Sequence, residues 1–392
     1  MRKVIIYSLL LIVGLFGSQL LPNIFTHYNR LQSLIMISTM TALSYIMINV
    51  GREFEIDKNN LKQYRWDYIV AMTTATFPWI AVVVYFIFVL FPAELWTNAD
   101  AWKETLVIGR FAAPTSAGVL FAMLAAAGLG ATWMFSKARI LAIFDDLDTV
   151  LLMIPLSILI VGWQPALGVT LFLMFALLIL GYRYLHQWSI PSSARSILFY
   201  SVIIAVVCEL FYLRSGVHFE VLLPAFVLGC LMKSQHESKQ DEKVSTWVAA
   251  IFMVLVGLSL PPLFNAVSET VATTSLSMAM PAMGMKEIIY HVLVISVLAN
   301  LGKMFPLFCY RKEATLRERL ALSISMWPRG EVGAGVLMIS LGYGFGGPMI
   351  TISMLSLALN LVMTGLFIMV VRYLIVTPTS QSEEERYEES RA

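Results

Sequence analysis

Residues 138–161 read ARILAIFDDLDTVLLMIPLSILIV. The run has the length of a helix that crosses a bilayer, about 20 residues or slightly more. It nevertheless holds Asp145, Asp146 and Asp148 at its middle. A charge at that depth costs a few kcal/mol even on lenient insertion scales, so a plain anchor would not carry three. The stretch therefore points to a membrane helix whose carboxylates serve a function.

Outward from it the same texture continues. The chain has 392 residues, 58% hydrophobic and 13% charged, with mean hydropathy +0.77. A soluble domain carries nearer a quarter charged residues, so a soluble enzyme is excluded. A net charge of +2 gives no footing for nucleic acid. Breaks at charge clusters, Pro and Gly divide the apolar runs into twelve predicted spans: 4–21, 31–50, 67–91, 104–127, 138–161, 163–181, 195–213, 217–232, 244–265, 286–310, 316–342 and 349–375. Arg2 and Lys3 precede the first run as in a signal peptide, but Gln19-Leu20-Leu21-Pro22 is a poor cleavage site and the span is read as retained. Cys208, Cys230 and Cys309 lie in or beside apolar runs, with neither disulfide nor metal-ligand spacing.

Orientation follows from the basic residues. With a cytoplasmic N-terminus, cytoplasmic segments hold 20 Lys and Arg and outer loops hold four, Arg30, Lys103, Arg214 and Lys286. That asymmetry fits both an even number of spans and a cytoplasmic C-terminus. Only Arg110, Lys303 and Arg329 of the 27 are left for the membrane interior. Residues 377–392, with five glutamates, read as an acidic, disordered cytoplasmic tail.

The intramembrane charges are Arg110, Asp145, Asp146, Asp148, Glu209, Glu220, Lys303, Arg329 and Glu331. On a helix Asp145 and Asp146 diverge by about 100°, whereas Asp145 and Asp148 share a face. Desolvation and mutual repulsion equip such a cluster to hold a proton or a cation. Asp145 and Lys303 each lie seven residues, roughly 10 Å, from the same membrane face, so an ion pair between them is geometrically open. A lysine so placed can serve as a switch, releasing its acid when the acid takes a cation.

Two spans read poorly as continuous helix. Ala113-Pro114-Thr115-Ser116-Ala117-Gly118 interrupts the fourth, and Pro328-Arg329-Gly330-Glu331-Val332-Gly333-Ala334-Gly335 the eleventh. Pro removes a backbone donor, Gly is flexible, and the carbonyls freed can line an ion site. Spans 3–5 and 10–12 form triplets of opposite topology, each with its broken member in the middle, the layout of an inverted repeat around a midplane site.

With these motifs in place the chain resembles the monovalent cation:proton antiporter superfamily, in the branch of bacterial sodium/proton exchangers and potassium-efflux transporters. The resemblance rests on Gly51-Arg52-Glu53-Phe54-Glu55, Pro114-Thr115-Ser116, Phe144-Asp145-Asp146 and Met326-Trp327-Pro328-Arg329-Gly330-Glu331-Val332-Gly333, with weaker echoes at Leu223–Gly229 and Leu255–Ser259. It implies an all-α polytopic antiporter fold and a homodimer without a cofactor. Residues 1–376 would form the membrane domain: a moving core of 67–161 and 286–375, a dimerisation part of 4–50 and 195–265, and 163–181 as linker. It further implies that Asp146 binds Na+ or Li+ and the proton, and that Asp145 with Lys303 marks the electrogenic pattern. Asp148, Arg110, Arg329, Glu331 and Glu220 are expected as accessory charges, Asp148 as a further ligand or as a partner for Arg110 or Arg329, and the two of span 11 as braces.

The expected activity is thus exchange of Na+ or Li+ for H+ by an elevator-type movement in a bacterial inner membrane, with Thr115, Ser116 and nearby carbonyls completing the oxygen shell that hard cations prefer. K+/H+ exchange or K+ efflux on the same scaffold, and a transport-inactive sensor, are the alternatives. An intramembrane aspartyl protease fits poorly, because it needs carboxylates converging from separate helices.

Overall fold

The computed structural model describes residues 2–24, 28–52, 61–163, 165–215, 221–233, 239–259, 283–343 and 345–376. Among them the protein is an all-α polytopic membrane protein. Its helices are α1 (Arg2–Ile24), α2 (Tyr28–Arg52), α3 (Leu61–Tyr85), α4 (Ala99–Gly109), α5 (Ala117–Ala126), α6 (Trp133–Val161), α7 (Pro165–Arg183), α8 (Ala194–Ser215), α9 (Leu222–Leu231), α10 (Lys239–Leu258), α11 (Met285–Gly302), α12 (Leu316–Ser325), α13 (Glu331–Gly342) and α14 (Gly347–Val376). Each of the twelve predicted spans overlaps one of these or a consecutive pair. Seven of the resulting spans are by themselves long and apolar enough to cross a membrane. The others fall short for visible reasons. The α6 helix carries the charge cluster, α9 is only ten residues long, the eleventh span is divided between α12 and α13, and the apolar parts of α7 (Leu167–Arg183) and α10 (Lys243–Leu258) are too short.

Among the described residues three spans are interrupted, and proline sets the positions. A proline ring clashes with the carbonyl four residues earlier. Helix α4 gives way at Arg110, four before Pro114, to a 3-10 turn (Arg110–Ala112) and then non-helical chain to Ser116. Helix α12 ends at Ser325, beside the position four before Pro328, and Trp327–Gly330 run without helix. Helix α11 ends at Gly302, four before Pro306, followed by a turn and the 3-10 segment Phe305–Phe308. The sequence predicts the first two interruptions; the third falls in the run 286–310, read as unbroken. Two of the following helix starts carry side-chain caps, whereas α13 opens from Gly330 without one: the Ser116 side chain accepts from the Val119 N–H at 3.4 Å to open α5, and Thr315 with Glu318 forms a capping box that opens α12.

The chain divides into two compact units. The first comprises Met1–Leu9, Lys62–Asp145 and Leu263–Ala392, the second Leu10–Leu61 and Asp146–Pro262, so one boundary falls inside α6 between Asp145 and Asp146. In the first unit the core is formed by side chains such as Ile108, Phe111, Leu120, Met326, Leu337 and Leu357, and α14 packs on α11 and α12. In the second, α2 packs on α8, α9 and α10. Glycine allows its closest approach. A Cβ on Gly51 would stand 2.2 Å from the Phe226 carbonyl oxygen, and one on Gly229 would stand 2.2 Å from that of Ile48. Only the absence of side chains lets the α2 and α9 backbones touch in this way.

Candidate functional site

The first unit gathers its polar chemistry where the interrupted helices meet. Lys303 is the residue that caps the C-terminus of α11, where the carbonyl end of the helix favours a cation. Its Nζ donates to Asp145 Oδ2 at 2.9 Å and to Thr115 Oγ1 at 2.8 Å, and both charged side chains are 0% exposed. Asp145 Oδ2 also accepts from the Thr115 backbone N–H at 2.7 Å, a donor released by the break between α4 and α5. The Thr115 hydroxyl in turn donates to the Met326 carbonyl at 3.0 Å, and the Ser116 N–H donates to the Pro328 carbonyl at 2.9 Å. Thus the two predicted breaks hydrogen-bond each other directly, and the ion pair sits on one of them.

Arg329 closes the arrangement from the other side. Its Nε donates to the Ala112 carbonyl at 3.0 Å, Nη1 to Asn300 Oδ1 at 2.7 Å and Nη2 to the Ala299 carbonyl at 2.9 Å, while its backbone N–H reaches Asn360 Oδ1 at 2.8 Å. A planar guanidinium suits this task, since its donors lie in a fixed fork and it stays charged when buried. The residue braces the ends of α4 and α11 together with α14. All these donors of Arg329 go to carbonyl and amide oxygens.

No family model matches the sequence, and no curated protein matches it either. Among solved structures, the chain is similar to the sodium proton antiporter MjNhaP1 from Methanocaldococcus jannaschii, with a TM-score of 0.58 and 14% identity over 92% of this chain and 91% of that one. The chain has the sodium/proton antiporter fold. Lys303, Asp145 and Thr115 form a buried triad in the first unit, on the predicted tenth, fifth and fourth spans.

The remaining candidates are dispersed through the antiporter fold. Asp146 and Asp148 follow on α6 and are buried at 2% exposure each. Arg110 is fully buried in the 3-10 turn, its guanidinium 4.8 Å from the Trp79 ring centroid, a favourable cation–π contact. Glu331 opens α13. Glu209 is half-buried on α8 of the second unit. Glu220, the acidic tail and residues 53–55 of the first motif lie outside the described residues.

A second buried charge cluster has no counterpart among the sequence expectations. Asp67, 1% exposed on α3, receives Lys137 Nζ at 3.1 Å on each oxygen and the Tyr310 hydroxyl at 2.7 Å on Oδ1. Lys137 also meets Glu313 at 3.3 Å and lies 4.8 Å from the Tyr310 ring centroid, and Trp133 packs edge-on against that ring. Lys137 falls just outside the predicted span 138–161. The available signal is Asp67 itself, a carboxylate at the very start of an apolar run and in need of a partner.

Proposed function

We propose that this protein exchanges Na+ or Li+ for protons across the membrane. The observation that supports the reading best is the Lys303 ammonium held by Asp145 Oδ2 and Thr115 Oγ1, fully buried where two interrupted helices meet. An ammonium bound by two hard oxygens stands where a small cation could stand, and those ligand types suit Na+ and Li+. A cation arriving at Asp145 would release Lys303, and return of the lysine would expel the cation. Asp146, the next residue along α6, is proposed as the carboxylate that alternates between cation and proton, with Ser116 at the break as a further oxygen source. Involvement of Asp145 together with Lys303 makes the exchange electrogenic in this scheme. Transport would proceed by elevator-type alternating access of a core comprising 67–161 and 286–375, in a homodimer joined through 4–50 and 195–265. Both termini would be cytoplasmic in a bacterial inner membrane.

Purified protein in proteoliposomes with an internal pH dye, given Na+, Li+ or K+ in turn with and without a potential clamp, tests the reading. Na+- or Li+-driven proton movement that responds to membrane potential is expected, and Asp146→Asn should abolish it while the protein remains folded. A response to K+ alone would make the protein a potassium/proton exchanger, and full exchange in Asp146→Asn would remove that residue from the mechanism.

A further inference from the structure

Glu104 stands apart from every charged group described so far. It lies on α4, only 2% exposed, and among the described residues its carboxylate makes no ion pair; its Oε1 accepts no hydrogen bond. Asn98 caps the helix and Ala99 is its first residue, so Glu104 is beyond the first turn, where the helix dipole would relieve a negative charge. The side chain before it faces water: Lys103 pairs with Asp100 at 2.8 Å, the two side chains 41% and 68% exposed. Glu104 is therefore one residue from a solvated ion pair yet turned into the protein. In the other direction Ala113, at the break, is nine residues on, a rise of roughly 13 Å.

Nothing on the neighbouring elements neutralises it among the described residues. The π-helical turn Phe86–Leu90, packed on α4, has no titratable side chain. The 3-10 turn contributes Arg110, α13 only Glu331, and α14 only Arg372 and Tyr373 near its far end. Helix α3, which meets α4 through Trp79 and Val83, carries Tyr85, whose hydroxyl is 2.8 Å from His291 Nδ1, and Asp67 of the Lys137 cluster at its opposite end. A carboxylate buried without a counter-charge or hydrogen bonds costs several kcal/mol, and a proton or a cation removes that cost.

We propose that Glu104 is a second proton-binding site, distinct from the aspartates of α6, loaded from the aqueous end of α4 marked by Asp100 and Lys103. The single carboxyl lacks the further oxygens a metal cation would require, and among the described residues no acidic or histidine group gathers around it. In the exchange cycle, a role that rests on the functional reading above, it serves as a way station between water and the break at Ala113–Ser116.

Infrared difference spectroscopy on the full-length protein in lipid, titrated from about pH 5 to about pH 9, tests the protonation without requiring transport. The expected result is a protonated-carboxyl C=O band that fades as pH rises and is lost in Glu104→Gln, which keeps the side-chain shape. Glu104→Asp should retain a displaced band and carries the same test if the glutamine variant does not fold. Absence of any Glu104-dependent band, or a band that never titrates, overturns the proposal. In proteoliposomes Glu104→Gln should displace the half-maximal pH of exchange by about half a unit or more, a change that a space-filling role would not produce; an unmoved profile removes the way-station role. If the unaltered protein shows no cation-driven exchange, the functional reading fails and the infrared result still decides the protonation.

Discussion

Among the described residues the first unit contains two buried lysine–aspartate pairs, and they are built to opposite specifications. At Asp67 the carboxylate takes Lys137 on both oxygens and a tyrosine hydroxyl besides, while Lys137 has a second acid, Glu313, and an aromatic face. Tyr310 adopts φ 55°, a left-handed backbone that a bulky residue holds only when its surroundings compel it. At Asp145 the lysine reaches one oxygen, Oδ2, which it shares with a backbone N–H from a helix break, and it donates as well to a threonine hydroxyl. Removing a partner from a buried pair is costly, whereas the net worth of the pair depends on how completely its hydrogen bonds are satisfied. The first pair therefore reads as a fastening between α3, α6 and the chain after α11. The second can open with less disruption, which a binding cycle demands.

Three substitutions rank this contrast. Asp67→Ala takes two acceptor oxygens from buried Lys137, leaving it Glu313 alone as an acid, and releases the Tyr310 hydroxyl, so the largest loss of stability is expected there, about 3–5 kcal/mol, read as a fall in melting temperature of the purified protein. Lys303→Ala should cost less, about 1–3 kcal/mol, because Asp145 Oδ2 retains the Thr115 N–H; its main effect should be loss of the response of exchange to membrane potential. A larger stability loss for Lys303→Ala than for Asp67→Ala would reverse the comparison. Tyr310→Phe deletes one hydrogen bond of the fastening and should lower stability by only about 1 kcal/mol, with the cation dependence of exchange unchanged. A changed cation dependence in that variant would show that the two pairs are coupled.

How far the sequence discloses such features depends on the kind of signal each one leaves. The spans are legible because repeated apolar runs of membrane length seldom occur outside bilayer-spanning chains. The breaks at Pro114 and Pro328 are legible because proline there is joined by Thr-Ser or by glycines, whereas Pro78 and Pro155 stay within α3 and α6. Proline alone is therefore an insufficient signal, and Pro306, with only Gly302 nearby, does not stand out. The Asp145–Lys303 pair can be inferred from equal depth. The Asp67 cluster cannot, since Lys137 and Tyr310 are 70 and 243 positions from Asp67 and no periodicity relates them. The partners of Arg329 are hidden for another reason: two of its acceptors are backbone carbonyls, which every residue possesses. Only Asn300 and Asn360, amides within apolar runs, leave a trace.

The Arg329 brace also has an order of construction. Translation delivers the α4 break first, then Asn300, then Arg329, and Asn360 last of all, near the middle of α14. Domains assemble from the N-terminus as the chain emerges, but here the arginine is in place before the final acceptor of its backbone N–H exists. The nascent protein must hold a charged, unhelical stretch within or beside the membrane until its last helix arrives. A chain that stops short of residue 360 thus leaves the Arg329 backbone N–H without its Asn360 acceptor.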